Sequence, residues 1–431
     1  MYLSWRAAAL VALGLVPTVI WPGYASVRWW WLLCLLLVAL DVGLAPSPRR
    51  LVVVREPEGD RVRLGEPLGA NLLVTNPLRR RVTGRLRDAW QPSAGIAPRG
   101  HRLRVRAGER VRLRQRLVPT RRGDVRADRV TVRTGGPLGL AGRQHSRELP
   151  GRVRALHPFP ARRHVPSRLA VLRQLDGRAA IRTRGQGTEF DSLRDYVDGD
   201  DVRSIDWRAT ARRRNLVVRT WQPEQHKRII VVVDASRTSA GRIGDVPRLD
   251  SAMDAALLLV ALAGHARDRV EVVAGDQEVR VRTGGAEGTK VLADVIHDLA
   301  PVHPVLLEAS WPRLVSAFTG RGNRRGLVVL LTALEPAAVE EGLLPVLPAL
   351  VAHHRVVVAS VADPSIEALA AVRGSAGDAY AAAAAERTLM LRRRTATAIE
   401  RLGASVVDAS PDELPPRLAD HYLMLKRHGL L

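Results

Sequence analysis

Cysteine and lysine are nearly absent from this 431-residue chain, whose only cysteine is Cys34 and whose only lysines are Lys227, Lys290 and Lys426. A single cysteine excludes a disulfide within the chain and any metal site built from several cysteines. Almost every basic residue is therefore arginine. A GC-rich genome is enough to produce such an excess, so the preference for arginine does not by itself indicate a function.

Acidic residues are outnumbered, with 43 Asp and Glu against 67 Lys and Arg, and the formal net charge is +24. The excess positive charge lies between residues 49 and 230, whereas residues 231–431 are nearly balanced. Such charge is attracted either to anionic lipid headgroups or to the phosphates of nucleic acid. We favour anionic membrane lipids, because the basic region directly follows apolar segments and has no recognisable nucleic-acid-binding motif.

Two apolar runs open the chain, at residues 7–21 and 29–44, with a short polar turn at 22–28. Each run is shorter than the roughly 20 residues of an average membrane span, but flanking tryptophans suit the membrane interface. The pattern predicts a two-helix transmembrane hairpin over residues 1–48, with Asp41 at headgroup level. A signal peptide is the alternative, and a second run after almost no spacer argues against it.

Basic residues near the runs predict the orientation of the hairpin. Arg49, Arg50 and Arg55 follow the second run, and an excess of Lys and Arg marks the cytoplasmic side of a membrane protein. We therefore expect a two-pass protein of the cell membrane with its large soluble region in the cytoplasm.

Residues 49–158 alternate apolar and polar side chains in short segments broken by Gly and Pro, which predicts a basic, sandwich-like all-β domain. The clearest example is residues 102–117, where Ala107 and Gly108 separate two alternating segments. We expect these segments to form a hairpin with an arginine face. That face is either a solvated outer surface or a docking surface for lipid or an acidic partner.

The most distinctive motif spans residues 185–219 and reads GQGTEFDSLRDYVDGDDVRSIDWRATARRRNLVVR. It resembles the core motif of a bacterial family of membrane proteins, domain of unknown function 58, which reads roughly G-x-E-F-x-x-L-R-x-Y-x-x-G-D-D-x-R-x-I-D-W-x-x-x-A-R. The residues that match this pattern are Glu189, Phe190, Leu193, Arg194, Tyr196, Gly199, Asp200, Asp201, Arg203, Ile205, Asp206, Trp207, Ala211 and Arg212. Residues 118–123 and 136–140 resemble the P-x-R-R-G and P-L-G-L signatures that precede this motif in the family.

The acids of the core motif have two interpretations. One is a metal-binding or acid/base cluster built on Asp200, Asp201 and Asp206. The other is an ion-paired structural loop, which the interleaved arginines favour. No H-E-x-x-H motif, Ser-His-Asp arrangement or phosphate-binding glycine loop lies nearby. We therefore interpret residues 159–228 as a junction, with Trp207 packed against the next domain.

Strands and helices alternate from residue 229 to the end of the chain. Strands are predicted at 229–233, 270–273, 279–281, 327–331, 355–360 and 404–407, and helices at 251–266, 291–299 and 381–402. This alternation predicts a doubly wound α/β domain with a parallel sheet covered on both faces.

Asp234, Ser236 and Thr238 follow the first of these strands, at the sheet edge where such domains bind ligands. The sequence D-A-S-R-T resembles the D-x-S-x-S signature of von Willebrand factor A domains, with Thr for the last Ser. The resemblance implies a divalent-cation site that also uses a Thr from a second loop, for which Thr289 is the candidate, and an Asp after a later strand. Oxygen ligands suit Mg²⁺.

The third part of that site departs from the family pattern. The strand at 327–331 is followed by Thr332, Ala333, Leu334 and Glu335, so Ala333 stands where metal-binding relatives carry Asp. Glu335 is a possible substitute. We expect a degenerate metal ion-dependent adhesion site; alternatively, Asp234 and its hydroxyl neighbours only cap the following loop.

These features favour a membrane-anchored, non-enzymatic scaffold that acts through its von Willebrand A-like domain. The family resemblance implies a MoxR-type AAA+ ATPase as partner, in protein maturation or cell-envelope processes. The alternatives are a metal-dependent hydrolase that uses the acids of the core motif and a basic nucleic-acid-binding protein. The expected parts are the hairpin (1–48), the basic β domain (49–158), the core motif and junction (159–228) and the α/β domain (229–431).

Overall fold

The computed structural model describes residues 1–182, 189–213, 215–222, 227–284, 290–319 and 325–431. The chain is a mixed α/β protein that forms two compact units, Met1–Pro158 and Phe159–Leu431. Each unit has its own hydrophobic cores. The finer division into four parts stays a prediction.

The first unit begins with a short strand, β1 (Tyr2–Leu3), and three helices, α1 (Trp5–Leu13), α2 (Leu15–Ile20) and α3 (Tyr24–Leu44). Within the described residues, α3 is the one helix that is long and apolar enough to cross a membrane, and the apolar segment Trp5–Ile20 is shorter. Because α3 begins at Tyr24, most of the predicted turn is helical. The two-pass hairpin stays a prediction.

Asp41 attaches α3 to the β structure of the first unit. Its side chain is fully buried, and its carboxylate accepts hydrogen bonds of 2.8 Å from the backbone N–H groups of Leu138, Leu140 and Ala141. A Cβ added at Gly136 would lie 2.1 Å from Asp41 Oδ1, so this approach requires glycine. The signature at residues 136–140 is thus the loop that receives Asp41.

Two sheets, antiparallel except for the pair β3 and β10, form the rest of the first unit. The larger has the order β1-β10-β9-β5-β6, with β3 beside β10, and the smaller has the order β2-β4-β7, with β8 beside β4. The strands are β2 (Val52–Pro57), β3 (Arg61–Arg63), β4 (Leu68–Thr75), β5 (Val82–Trp90), β6 (Gly100–Val105), β7 (Arg110–Leu113), β8 (Arg116–Leu117), β9 (Gly123–Gly135) and β10 (Ala141–Leu156). Strand β3 is parallel to β10. The two sheets share one core, in which Leu72 of β4 packs with Leu86 of β5 and Leu103 of β6.

The predicted hairpin at residues 102–117 is wrong. Strand β6 pairs with β5 and strand β7 pairs with β4, so the two segments belong to different sheets. The turn at Gly108, with φ of +73°, carries the chain from one sheet to the other. Alternation only requires that one face of each segment be buried, and two facing strands of a sandwich meet that condition as well as two paired strands do.

The second unit has a six-stranded sheet with the order β17-β16-β13-β18-β19-β20. Its strands are β13 (Arg228–Asp234), β16 (Arg269–Gly275), β17 (Val279–Gly284), β18 (Leu327–Leu331), β19 (Arg355–Val361) and β20 (Ser405–Ala409). All neighbours are parallel except β16 and β17, which form an antiparallel pair. The prediction of a wholly parallel sheet is therefore wrong at this edge, because only three residues separate β16 from β17 and a parallel crossover needs a dozen or more.

Helices cover both faces of this sheet. The helices of the second unit are α4 (Val165–Arg182), α5 (Trp207–Arg213), α6 (Arg248–His265), α7 (Lys290–Leu299), α8 (Trp311–Thr319), α9 (Pro336–Ala338), α10 (Leu347–His353), α11 (Pro364–Ala371), α12 (Ala376–Arg401) and α13 (Leu414–Arg427). Helix α5 belongs to the core motif and not to the covering of the sheet. Alternate residues of β13 enter opposite cores: Val231 packs with Leu258 of α6, and Val232 with Leu314 of α8. This explains why β13 is a continuous apolar run. A π-turn follows α9 at Val339–Leu343.

The remaining strands of the second unit form two small antiparallel sheets. Strands β11 (Glu189–Asp195) and β12 (Val217–Gln222) pair within the core motif, and β14 (Arg242–Ile243) pairs with β15 (Val246–Pro247). The core motif is therefore a β-hairpin with α5 between its strands.

Candidate functional site

Asp234 lies at the carboxyl end of the central strand β13, where neighbouring parallel strands end together. Its backbone pairs with Gly275 of β16, and the preceding residue, Val233, pairs with Leu331 of β18. Thr332, directly after β18, is thereby placed beside Asp234. Ligands of open α/β sheets bind at this edge.

The Asp234 carboxylate is the centre of a compact hydrogen-bond network. Its Oδ1 accepts the Ser236 N–H at 2.8 Å, and its Oδ2 accepts the hydroxyls of Thr238 at 3.1 Å and Thr332 at 2.6 Å. The hydroxyls of Ser236 and Thr238 are 3.3 Å apart. One carboxylate and three hydroxyls from two loops therefore converge on one point.

Burial decides the electrostatics of this network. Asp234 is 1% exposed, and burial raises the pKa of its carboxyl, although hydrogen bonds from Thr332, Ser236 and Thr238 act in the opposite direction. A buried carboxylate of this kind favours a cation beside it, because the cation stabilises the charged form. The network is therefore suited to a positively charged ligand.

The third part of the predicted metal site does not supply an acid at the expected position. Ala333 is buried and apolar. Glu335 pairs with Arg248 at 3.3 Å and with Arg237 at 3.9 Å instead of facing Asp234. Arg248 also donates to the Thr238 carbonyl at 2.8 Å, so this ion pair braces the loop that carries the hydroxyls. Thr289 lies outside the described residues.

A cavity of about 220 Å³ opens over the network. Two acids other than Asp234 line it, Glu308 and Glu341. Glu308 pairs with Arg237 at 2.7 Å, whereas Glu341 lies in the π-turn and pairs with no cation in the described part of the chain. Single π-turns are frequent at functional sites.

The donor set fits Mg²⁺ in ligand type, because every donor is oxygen and a cavity leaves room for water ligands. Asp234, Ser236, Thr238 and Thr332 would hold the ion, which would supply positive charge for a carboxylate of a partner. Among the residues that the structure describes, no three His, Cys, Asp or Glu side chains form a metal-ligand cluster. Asp234 is thus the single acid within the network, and Glu341 the unpaired acid of the cavity wall.

The acids of the core motif form hydrogen bonds and ion pairs with other residues of the same motif. Arg194 pairs with Asp200, whose Oδ2 also accepts the Val197 N–H at 3.0 Å. Hydrogen bonds from Arg194 and then Val197 lower the pKa of the Asp200 carboxyl. The same direction holds for Asp206, where the Ala209 N–H is the main cause and Arg219 the next.

A general acid near neutral pH needs a raised pKa, so these two carboxyls are poorly suited to that role. Asp206 caps α5 by accepting the N–H groups of Arg208 and Ala209, both at 3.0 Å. Asp201 accepts the Arg203 N–H at 3.0 Å and caps a short 3₁₀ turn. The geometry is that of turns and caps.

The other residues of the core motif lie in a turn, in strand β11 or on the exposed surface. Gly199, with φ of +105°, allows the turn before Asp200, and the Tyr196 N–H donates to the Leu216 carbonyl at 2.8 Å. Glu189 and Phe190 lie in β11. Neither Arg203 nor Arg212 has a side-chain partner among the described residues. Trp207, expected to pack against the following domain, is 66% exposed, which corrects that expectation.

Thr332 is a member of the Asp234 network that the sequence did not predict. A hydroxyl residue directly after a buried strand was the available signal, but only the order of strands shows which loop it meets. Strand β18 is adjacent to β13 although three helices (α6, α7 and α8) and four strands (β14 to β17) lie between them along the chain.

The model of the family described as "Protein of unknown function DUF58" matches residues 192–403. This match supports the family assignment drawn from the core motif. A search of the curated proteins finds no match to this chain.

Several solved structures resemble parts of the chain at low similarity. A PapD-like domain of human CEP192 is 12% identical, with 26% of this chain and 89% of that chain covered and a TM-score of 0.19. A CARDB domain from Pyrococcus furiosus is 15% identical, with 27% and 93% covered and a TM-score of 0.19. A FixG-related protein from Vibrio parahaemolyticus is 12% identical, with 26% and 96% covered and a TM-score of 0.17. Scores this low do not establish a shared fold.

Proposed function

We propose, from the premise that the chain is a member of the DUF58 family, that it is a membrane-anchored, non-enzymatic scaffold. It is held by a two-helix hairpin and exposes its soluble region to the cytoplasm. It binds a partner at the carboxyl edge of a von Willebrand A-like domain. The partner we propose is a MoxR-type AAA+ ATPase, acting in protein maturation or cell-envelope processes.

One observation carries this proposal: the buried Asp234 network opens onto an acid-lined cavity. A binding role needs a preformed polar site with access from solvent, and the network provides one. The hydrolase alternative would use Asp200, Asp201 and Asp206. The pKa values of Asp200 and Asp206 are lowered, and Asp201 caps a 3₁₀ turn. These features favour binding over hydrolysis.

Co-purification tests the partner. Full-length tagged protein, extracted in detergent from its native host, is captured with ATP, ADP or a non-hydrolysable analogue, and bound proteins are identified by mass spectrometry. We expect a AAA+ ATPase in at least one nucleotide state, and at least a fivefold loss of capture for Glu341→Gln. Glu340→Gln is the matched control, because Glu340 is the exposed neighbour in the same π-turn but does not line the cavity.

Two results would contradict the proposal. One is the absence of any AAA+ ATPase in all nucleotide states. The other is equal capture by the wild type and Glu341→Gln, which would place the binding surface elsewhere.

Magnesium binding at the Asp234 network is a separate part of the proposal. A ligand that binds only the folded state raises the melting temperature, so Mg²⁺ at millimolar concentration should raise the Tm of the wild-type protein in detergent. The Tm of Asp234→Asn should not respond, and that of Asp245→Asn, which changes an exposed acid outside the cavity, should respond as wild type does. An equal response of Asp234→Asn and wild type would rule out this network as the magnesium site.

A further inference from the structure

The outer face of the larger sheet in the first unit carries arginines in register on adjacent strands. Arg85 of β5 lies directly opposite Arg102 of β6 on one side and Arg133 of β9 on the other. Arg104 and Arg87 occupy the neighbouring rows of the same face. All five arginines are exposed, and residues between them, such as Leu86 and Leu103, point into the core.

These arginines contribute little to holding the fold together. Arg85, Arg87, Arg102 and Arg104 make no side-chain hydrogen bond or ion pair with any described residue. Arg133 donates to Gln144 Oε1 at 2.7 Å and lies 5.3 Å from the centre of the Tyr2 ring. Like charges directly opposite one another destabilise a sheet, so the arrangement opposes folding unless an external anion neutralises it.

Other arginines of the unit have acidic partners. Arg112 and Arg110 of β7 approach Glu56 of β2 at 3.3 and 3.8 Å. Arg129 of β9 likewise pairs with Asp128 at 2.7 Å, whereas Arg85, Arg87, Arg102 and Arg104 have no ion pair with any described residue. We call the set Arg85, Arg87, Arg102, Arg104 and Arg133 the arginine face.

The arginine face is continuous with the start of the apolar helices. Tyr2 of β1 pairs with Gly142 of β10 at the far edge of the same sheet, and its ring lies against Gly142. The chain then enters α1 at Trp5, which is 77% exposed. Aromatic side chains beside an apolar helix are typical of the membrane interface. The arginine face, the aromatic residues Tyr2 and Trp5, and the apolar helix α1 are thus neighbours within the first unit.

We infer that the arginine face binds anionic phospholipid headgroups at the surface of the membrane that holds the helices. Exposed basic side chains near a bilayer are attracted to anionic lipids, and the bidentate guanidinium suits phosphate. The adjoining apolar helix favours lipid over nucleic acid as the source of the phosphate. The inference rests on the membrane anchor of the proposed function and is independent of the AAA+ partner.

Full-length protein in lipid nanodiscs tests this inference. The Cys34→Ser, Thr83→Cys protein carries one nitroxide at position 83, on the arginine face. Relaxation of the nitroxide by a nickel-chelating lipid then reports contact with headgroups. We expect strong relaxation in discs that contain phosphatidylglycerol, and at least a threefold reduction in discs of phosphatidylcholine alone or in 0.5 M salt, because salt screens the attraction.

Two sets of arginine substitutions distinguish lipid binding by this face from attraction of lipid by the net positive charge. Arg85, Arg87, Arg102 and Arg104 changed together to Gln should reduce the relaxation at least threefold, whereas Arg79, Arg80, Arg81 and Arg114 changed to Gln should leave it within error. Each set removes four positive charges from exposed positions. A melting temperature near that of the wild type confirms that each variant is folded.

Three outcomes would overturn the inference. The first is equal loss from both sets, which would indicate charge without a specific face. The second is a nitroxide that stays in water in every lipid composition. The third is binding of duplex DNA to the same arginines in place of lipid. A chain that fails to enter nanodiscs at all would contradict the membrane anchor instead.

Discussion

At the scale of single residues, the Asp234 network shows how one buried carboxylate organises a site. Thr332 and Asp234 are 98 positions apart, yet their side chains meet at 2.6 Å. The sequence identified Asp234, Ser236 and Thr238 because they follow one strand. It gave no means to choose between Ala333, Glu335 and Thr332, because side-chain direction at a strand end depends on the neighbouring strands.

Asp254, on α6, is another buried carboxyl, and no sequence pattern singled it out. Both of its oxygens accept the Ala161 N–H, at 3.2 and 3.1 Å, so it holds the turn that precedes α4. Burial raises the pKa of Asp254 from 3.8 to about 6. The native state therefore binds this proton more tightly than the unfolded chain does.

The sign of the pH effect follows from that difference. Stability from this group is fully present below about pH 3.8 and is lost as pH rises through about 6. One pKa unit corresponds to about 1.4 kcal/mol, so the total loss is on the order of 3 kcal/mol. Asp254→Asn keeps an acceptor for Ala161 but has no proton to lose.

We expect Asp254→Asn to have a larger free energy of unfolding than wild type at pH 7.5, and the difference to shrink by about half at pH 5. Denaturant unfolding at several pH values measures this. Asp245→Asn, which neutralises an exposed acid, serves as the control and should follow the wild-type profile. A difference that is independent of pH would show that Asp254 does not titrate in this range.

At the scale of elements, several segments have the predicted type and near-identical bounds. Residues 327–331 form β18 as predicted, and the predicted helix 291–299 is α7, one residue longer. Their patterns are clear, because a short continuous apolar run is typical of a buried strand and α7 has one apolar face. Pairing is different: nothing in the alternation of residues 102–117 distinguishes a hairpin from two facing strands.

The attachment of helix α3 to the loop at 136–140 through Asp41 gives a further prediction. Asp41→Asn replaces two acceptor oxygens by one acceptor and one donor, so at least one of the three N–H groups loses its partner. A hydrogen bond to a charged group is worth about 1.5–3 kcal/mol. We expect the amides of Leu138, Leu140 and Ala141 to exchange with solvent at least tenfold faster.

Hydrogen exchange followed by mass spectrometry or NMR of the full-length protein in detergent measures this. Asp128→Asn changes an exposed acid of the same unit, paired with Arg129 at 2.7 Å, and should leave these amides unchanged. Unchanged exchange in Asp41→Asn would mean that other contacts, such as that of Arg143 Nε with the Val42 carbonyl at 2.9 Å, hold the helix alone.

At the scale of the whole molecule, the basic and balanced parts of the chain differ in how they use charge. The first unit presents unpaired arginines on one sheet face, whereas ion pairs of the second unit brace loops and strand ends, as Arg248 with Glu335 and Arg228 with Glu271 do. The positive net charge is therefore not spread evenly over the protein. It is a surface feature of the first unit that suits an anionic partner.

The sequence by itself indicated the resemblance to the DUF58 family, through the core motif, and the mixed α/β class, through the alternation of apolar runs. These are local signals, because spacing along the chain decides whether a segment has one buried face or two. The tertiary structure alone decided the partners of those faces. Strand order placed Thr332 beside Asp234, sheet pairing assembled the arginine face, and folding of the loop at 136–140 enclosed Asp41. Each depends on contacts between segments far apart in sequence, which no local periodicity encodes.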